Sequence, residues 1–414
     1  MARVLISKHP VAVVRPSEPV TATSNEIIHL TAYDKMFAGP VTALFLFKNP
    51  ISEPAETIRR GLSRALIHYY PIAGRLAVAG DGEEVVIQCT GEGVSFVAAS
   101  ANCAIKDVPK MCECDPSVQE ELALYPSSCS HSEPLMLMQV TVFSCGGFIV
   151  GITWNHLLCD GAGLVQFFKS VGELARGLTS PSIVPVRQGD CLELGLPPFS
   201  TNFMRFVATL EPSRRAFLNI AVPSTLINRI KHMFSASQGQ PCSVFEAVAA
   251  VLWRCRTRAI FSDKEGGLVA LFFMANARKY ARAKEGFYGN CVTIHLVMAM
   301  SGMVANGNII DIVKMIQRAK VQVPDQSSMD ELQQHLLGYN LLGLSSWRNF
   351  GVGFDFGAGG PARLMSYEQE RIGLPFCAVC LPCEDDHSVM ARCVREEQTD
   401  AFLQEISNIQ HIYR

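Results

Sequence analysis

The sequence reads as a mixed α/β (α+β) protein of two domains, and three features carry that reading. At 414 residues it is longer than one hydrophobic core usually serves. Runs rich in β-branched residues alternate with segments of helical period along the whole chain, without repeats or low-complexity tracts. Between Gly177 and Phe199 the periodicity stops, and Pro181, Pro185, Pro197 and Pro198, with Gly189 and Gly195, mark the kind of irregular connection that joins domains. The expected division is residues 1–180, a crossover at 181–205, and residues 206–414.

In the first half, residues 56–69 place Ile58, Leu62, Leu66 and Tyr69 on one helical face, and Pro71 and Gly74 stop the helix. Strands are expected at 84–88 and 135–143, and Gly146 and Gly147 turn the chain into a third at 148–154. A helix begins after Gly161 and Gly163, with Leu164, Phe167, Phe168, Val171 and Leu174 at helical spacing. In the second half, 215–222 reads as a strand leading into a helix that turns Leu226, Ile227, Ile230, Met233 and Phe234 inward. Ser243 and Glu246 have capping-box spacing, and the alanine-rich segment from there to Arg258 reads as a buried helix. Strands at 268–274, 292–297 and 376–381 and a helix near 399–406 follow.

Composition narrows the function classes. Hydrophobic residues are 49% and charged residues 18%, the balance of a buried core and the reverse of a disordered chain. A net charge of −2 without a basic stripe leaves no nucleic-acid footprint. Lys8 and Pro10 interrupt the first apolar run before a secretory signal forms, and the longest apolar stretch, 291–305, is too short to span a bilayer. A soluble, cytoplasmic monomer with no membrane or nucleic-acid partner is expected. The 15 cysteines are scattered through apolar sequence, among them Cys145, Cys159, Cys255 and Cys291, as small buried hydrophobes of a reducing compartment are. Cys377, Cys380 and Cys383 invite a zinc reading. However, residues three apart on a strand face opposite sides and no second ligand pair is nearby, so no metal is expected.

Two stretches carry chemistry. In TWNHLLCDG (153–161) a strand ends and a glycine turn begins, which delivers His156 to a rim. A histidine there suits general-base work near neutral pH, and Asp160, four residues on, can fold back to brace the turn. By itself the spacing is also that of a histidine satisfied at a strand end. In GFDFGAGGP (353–361) dense glycine permits sharp turns, and Asp355 can fix the loop by local hydrogen bonds. Its Asp-Phe-Gly letters occur in protein kinases, but no phosphate loop, strand lysine or His-Arg-Asp loop accompanies them.

Together these stretches resemble the signatures of the plant BAHD acyltransferases, HxxxD in mid-chain and DFGWG nearer the C-terminus. LSRALIHYYPIAGRL (62–76) resembles the family's early helix and turn, and the capping box with Trp253 and Arg254 its central helix. ANAR (275–278) and YGNC (288–291) resemble its NxRxR and YFGN segments, in the family's order. The chain departs from the pattern at Ala358, where the DFGWG tryptophan would stand, at Tyr280, and at 281–285, which replaces a proline-rich stretch.

The resemblance implies two similar chloramphenicol-acetyltransferase-like domains, each a mixed sheet with flanking helices, with the active site in a tunnel between them. It assigns His156 and Asp355 to the catalytic centre, His156 as base and Asp355 shaping the CoA side. Asp160, paired with Arg278, and Gly161 are architectural. Gly357, Ala358, Gly359, Ser243 and Arg254 are expected on CoA, and Asn290 and Thr42 on substrate. Acyl-CoA is the cosubstrate, no cofactor is tightly bound, and the partners are an acyl-CoA donor, with a benzoyl or hydroxycinnamoyl group preferred, and a small alcohol or amine. Three other readings compete with it: a Cys159–His156 nucleophile pair, a chloramphenicol-acetyltransferase-like or peptide-condensation relative (a condensation domain is disfavoured by Asn155 where a second histidine would stand), and a non-catalytic scaffold that binds a small molecule or protein, which retention of His156 disfavours.

Overall fold

The computed structural model describes residues 5–412 apart from 20–25, 81, 83, 115–116, 127–130, 188–190, 211–213, 262–266, 323–328, 331, 333–337, 349–352, 368–373 and 381–385. The chain forms two compact units, each mixed α/β as expected.

The first unit comprises Met1–Gly195, Arg278–Cys291 and Phe350–Glu368. Its main sheet runs β1 (Ile6–Lys8), β7 (Val94–Ala101), β8 (Met136–Phe143), β9 (Phe148–Asn155), β4 (Pro40–Phe47) and β14 (Arg363–Tyr367), with β2 (Ala12–Val14) also on β7. Among the described pairs of this sheet, β7–β8 is parallel and the rest are antiparallel. A small antiparallel sheet joins β3 (Ile27–His29), β6 (Glu84–Gln88) and β5 (Arg75–Ala79). The helices Pro54–His68 and Gly161–Ala175 pack so closely that a Cβ on Gly61 would meet the Val171 carbonyl at 2.6 Å.

The second unit comprises Leu196–Ala277, Val292–Asn349 and Gln369–Arg414. Its sheet runs β10 (Leu218–Pro223), β16 (Asp386–Arg392), β15 (Phe376–Val379), β13 (Leu341–Ser346), β11 (Leu268–Asn276) and β12 (Val292–Met300). The helix Val244–Ile260 lies inside this unit's core, where Trp253 packs in a cluster with Ile230, Phe234, Phe273 and Ile316. From Glu246 to Thr257 every residue of this helix is buried, its arginines included, which makes it a core helix and not a surface one.

The contiguous division at 181–205 does not describe these units. Residues 278–291 and the glycine loop at 353–361 belong with the first unit, although the second half of the sequence encodes them. The cause is strand pairing: β14 adds to β4 in antiparallel register, which carries the loop before it onto the first sheet. The stretch expected to be irregular also ends in a helix, Pro198–Ala208, whose first residue is the second of two prolines. Proline at the first helical position is a start signal, so the pair opened a helix and did not prolong a loop. β4 carries a continuous apolar run, PVTALFLF, buried along most of its length, so it shows none of the alternation that marks a half-buried strand.

Cys159, Cys255 and Cys291 are buried, but Cys145 is exposed at the turn between β8 and β9, a correction to its reading as a core residue. Cys383 lies outside the described residues. Among the described residues no helix is long and apolar enough to cross a membrane.

Ser243 caps the helix Val244–Ile260 in a complete capping box: its hydroxyl accepts from the Glu246 amide, and Glu246 accepts from the Ser243 amide at 2.8 Å. Ser243→Ala is expected to lower stability by about 1 kcal/mol. Urea unfolding monitored in both proteins checks this, and an unchanged midpoint would show that Lys320, 2.7 Å from Glu246, suffices to hold the helix start.

Candidate active site

The site is built on a backbone turn whose polar groups are tied almost one by one. β9 ends at Asn155, whose side-chain oxygen accepts from the Leu157 amide at 3.0 Å while its carbonyl accepts from Leu158 at 3.0 Å. The His156 amide donates to the Gly39 carbonyl at 2.8 Å, and the His156 carbonyl accepts from Asn290 Nδ2 at 2.7 Å. Arg187 Nη2 donates to the Leu157 carbonyl at 3.3 Å, and the Trp154 indole donates to that of Cys159 at 3.1 Å. A turn satisfied this fully is held in place, and the backbone of His156 with it.

The His156 ring packs 4.9 Å from the Phe37 ring. Burial holds its pKa below the ordinary histidine value, against opposing pulls from the Asp160 carboxylate, its own backbone, Asn290 and Asp34. The ring is therefore neutral near pH 7, as a base must be.

Asp160 closes the turn. Its Oδ1 caps the helix Gly161–Ala175 by accepting from the Gly163 amide at 2.9 Å, and its Oδ2 accepts from the Cys291 amide at 2.9 Å. Both oxygens accept from Arg278, Nη1 to Oδ2 at 2.8 Å and Nη2 to Oδ1 at 2.9 Å, and the guanidinium continues to the Gly289 carbonyl at 2.8 Å. A bidentate pair with this many further bonds fixes direction as well as charge. Gly161 is the first residue of the capped helix.

A second buried pair stands behind the turn and was not read from the sequence. Asp34, fully buried, lies 3.1 Å from Arg187 Nη2 and accepts from the Asn290 amide and from Asn290 Nδ2, both at 3.0 Å. Gly289 leaves room for this arginine, since a Cβ there would meet Arg187 Nη1 at 2.7 Å. Thr31 and Asp34 form a capping box, a local signal for Asp34. Arg187 had none, because it sits in the proline-rich stretch and its partner is 153 residues away.

The glycine loop is also ordered by its acid. Asp355 Oδ1 accepts from the Gly357 amide at 2.8 Å and the Gly359 amide at 2.9 Å, bonds that hold the carboxyl below its ordinary pKa. Arg176 lies 3.7 Å from the other oxygen and also bonds the Asp355 carbonyl. Phe354 packs on Phe45 and Phe168, and Phe356 on Phe47 and Phe148. Asp355 is thus occupied in shaping its own loop, unlike its expected place among catalytic groups. Gly357 and Gly359 have φ of +126° and +90°, values that favour glycine, and the Ala358 carbonyl accepts from Asn49 at 3.0 Å.

Four more of the expected site residues are placed as follows. Arg254 is buried in the second unit, its guanidinium donating to the Val304 and Gly307 carbonyls, which leaves it a poor candidate for phosphate. Ser243 is the helix cap described above. Thr42 is buried between β4 and β9, its hydroxyl 2.9 Å from that of Thr153, and Asn290 is engaged with Asp34 and the His156 carbonyl. The Cys159 thiol is buried with its pKa pushed far up, so a nucleophilic thiolate beside His156 is not available.

Residues 5–408 match the Transferase family. The chain is 43% identical to acyl transferase 15 of Oryza sativa subsp. japonica, over 98% of this chain and 99% of that protein. It is 31% identical to a myricetin 3-O-glucosyl 1,2-rhamnoside 6'-O-caffeoyltransferase of Crocosmia x crocosmiiflora, over 97% and 99%. In fold it is similar to vinorine synthase, with a TM-score of 0.74 at 18% identity and 98% of each chain covered.

Asp160→Ala is expected to lower stability by about 3–5 kcal/mol, because it strands the Arg278 guanidinium and uncaps the helix. Arg278→Ala should destabilise in the same direction. Unfolding of the two single variants and the double variant measures the coupling, and strictly additive losses would mean that the pair does not act as a unit.

Proposed function

The chain belongs to the Transferase family, as an acyl-CoA-dependent acyltransferase of the BAHD type, and from that premise we propose that it moves a benzoyl or hydroxycinnamoyl group from CoA to the hydroxyl or amine of a small plant-type metabolite, with His156 as general base. The observation that carries this reading is a buried histidine, its pKa held below the ordinary value by that burial, on a turn whose backbone is bonded at nearly every residue. The hydroxycinnamoyl class is supported by the caffeoyltransferase likeness and by Ala358, where a small side chain replaces an indole.

The chemistry runs through a ternary complex. Neutral His156 takes the proton of the acceptor's O–H or N–H as that atom attacks the thioester carbonyl. The tetrahedral oxyanion collapses with cleavage of the carbon–sulfur bond, and the imidazolium returns its proton to the departing thiolate, giving free CoA and the ester or amide. The base is regenerated, and no covalent acyl-enzyme is required. Asp160 and Arg278 hold the turn and the Asp355 loop supports the donor side, so neither acid takes a proton in the cycle.

His156→Ala is expected to reduce turnover about 10²–10⁴-fold in a folded protein. Near-normal release of free thiol by that variant would end the base assignment. Since the ring must be neutral and its pKa lies below the ordinary 6.5, kcat/KM should stay level through neutrality and fall only as pH drops below that value. A limb at or above 6.5 in the pH profile would contradict the buried-base reading.

Ala358→Trp tests the donor. Overpacking a fitted site costs about 1–3 kcal/mol. If Ala358 makes room for the acyl group, kcat/KM should fall most for benzoyl- and coumaroyl-CoA and least for acetyl-CoA. Equal losses across the three donors would make Ala358 a packing residue.

A further inference from the structure

Among the described residues two aromatic rings meet the His156 imidazole. Trp154 is part of the core and stands 6.2 Å away, centre to centre. Phe37 is nearer, at 4.9 Å with the ring planes 45° apart, and it is only half-buried. It follows the short helix Ala32–Lys35, on a segment tied at both ends to the turn that carries the base. At one end the Phe37 amide donates to the Asp34 carbonyl at 3.3 Å, and the Asp34 carboxylate accepts from Asn290, which also donates to the His156 carbonyl. At the other, the Gly39 carbonyl accepts from the His156 amide at 2.8 Å, and Pro40 pairs with Asn155 where β4 meets β9. The backbone of Phe37 therefore cannot move away from His156 without breaking bonds to the base's own backbone.

A phenyl ring brings no proton and no hydrogen bond to a base. What it can do there is fill space that water would otherwise take. A base that serves an alcohol or an amine serves water as well. Water deprotonated by His156 attacks the same thioester carbonyl, the carbon–sulfur bond breaks, and the imidazolium returns its proton to the thiolate. The products are then the free acid and CoA, and the donor is wasted. We propose that Phe37 is a positioning residue acting through His156: its ring covers the imidazole against bulk water, so that a bound acceptor reaches the base and solvent does not. This rests on His156 as the base. The same cover contributes to the burial that holds the histidine pKa below its ordinary value. The charged groups around the ring are Asp160, paired with Arg278, and Asp34, paired with Arg187. Both acids pull the pKa the other way, and both pairs stay in place when Phe37 is changed.

Benzoyl-CoA supplied without any acceptor reads the leak directly, as free thiol. Full-length wild-type protein should hydrolyse it slowly, and Phe37→Ala should do so faster by about tenfold or more. In an NMR titration of 15N-histidine-labelled protein, with His156 assigned by difference from His156→Ala, Phe37→Ala should raise the His156 pKa toward the ordinary 6.5, because an uncovered imidazolium is better hydrated. Phe37→Leu keeps an apolar cover and should bring both the leak and the pKa most of the way back. Should Phe37→Ala not fold, Phe37→Val is expected to give the same changes in smaller degree. In a folded Phe37→Ala protein, either an unchanged His156 pKa or an unchanged leak overturns the proposal. So does a leak that Phe37→Leu leaves at the Phe37→Ala level, since a disturbed loop would then be its cause. The titration needs no turnover. A leak that survives in the Phe37→Ala/His156→Ala double variant would therefore end the base reading, while the pKa still decides whether Phe37 covers the ring.

Discussion

The carboxylate of Asp160 is the constraint on which the rest of the site depends. It is nearly buried, and a buried charge must be compensated at every lone pair. Here the compensation comes from three places in the sequence: the Gly163 amide, the Cys291 amide and the Arg278 guanidinium. The first starts the helix after the turn. The other two draw residues 278–291 against the turn, bringing Asn290 to the His156 carbonyl. Without the acid, the helix would start uncapped and the arginine would be stranded, so histidine geometry and helix position share one cause.

The Asp34–Arg187 pair extends that logic. Buried ion pairs add little net stability, since desolvation offsets much of the attraction, but they define direction sharply when hydrogen-bonded on all sides. Asp34 meets Thr31, Asn290 and Arg187, and Arg187 also reaches the Leu157 carbonyl. The pair thus steadies the turn through the Leu157 carbonyl and Asn290. Two acids, each neutralised by its own arginine, flank a neutral histidine, and burial still decides the sign of its pKa shift.

What was legible in the sequence follows from how local each signal is. His156, Asp160 and the capping box at Ser243 are written within four residues, and their elements stand where periodicity put them. Arg278 was reached through the resemblance of a short motif, because nothing near it in sequence announces a partner 118 residues away. Arg187 stayed hidden for the same reason, whereas Asp34 had a local signal in its capping box with Thr31. Thr42 and Arg254 went the other way: their residue types suit ligands, but only three-dimensional packing shows that their polar atoms are already engaged within the protein. The glycine loop was found by composition, while its membership of the first unit depends on β14 pairing with β4, a register no single segment encodes.

The helix Gly161–Ala175 shows why those returning segments settle where they do. Glycine inside a helix costs about 1 kcal/mol relative to alanine, so interior glycines need a reason. At Gly163 a Cβ would stand 1.8 Å from the Tyr288 carbonyl, and at Gly172 one would stand 2.5 Å from that of Asp355. Each missing side chain is therefore a seat for one of the two later segments, 278–291 near the helix start and 353–367 nine residues further on. On a neighbouring face, Gly61 lets the helix Pro54–His68 approach the Val171 carbonyl. The helix that Asp160 caps thus gauges the distance of three other pieces of chain from the base. The cost of its glycines is offset by the backbone contacts they admit, and a methyl group at Gly163 would push Tyr288, and with it Asn290, away from His156.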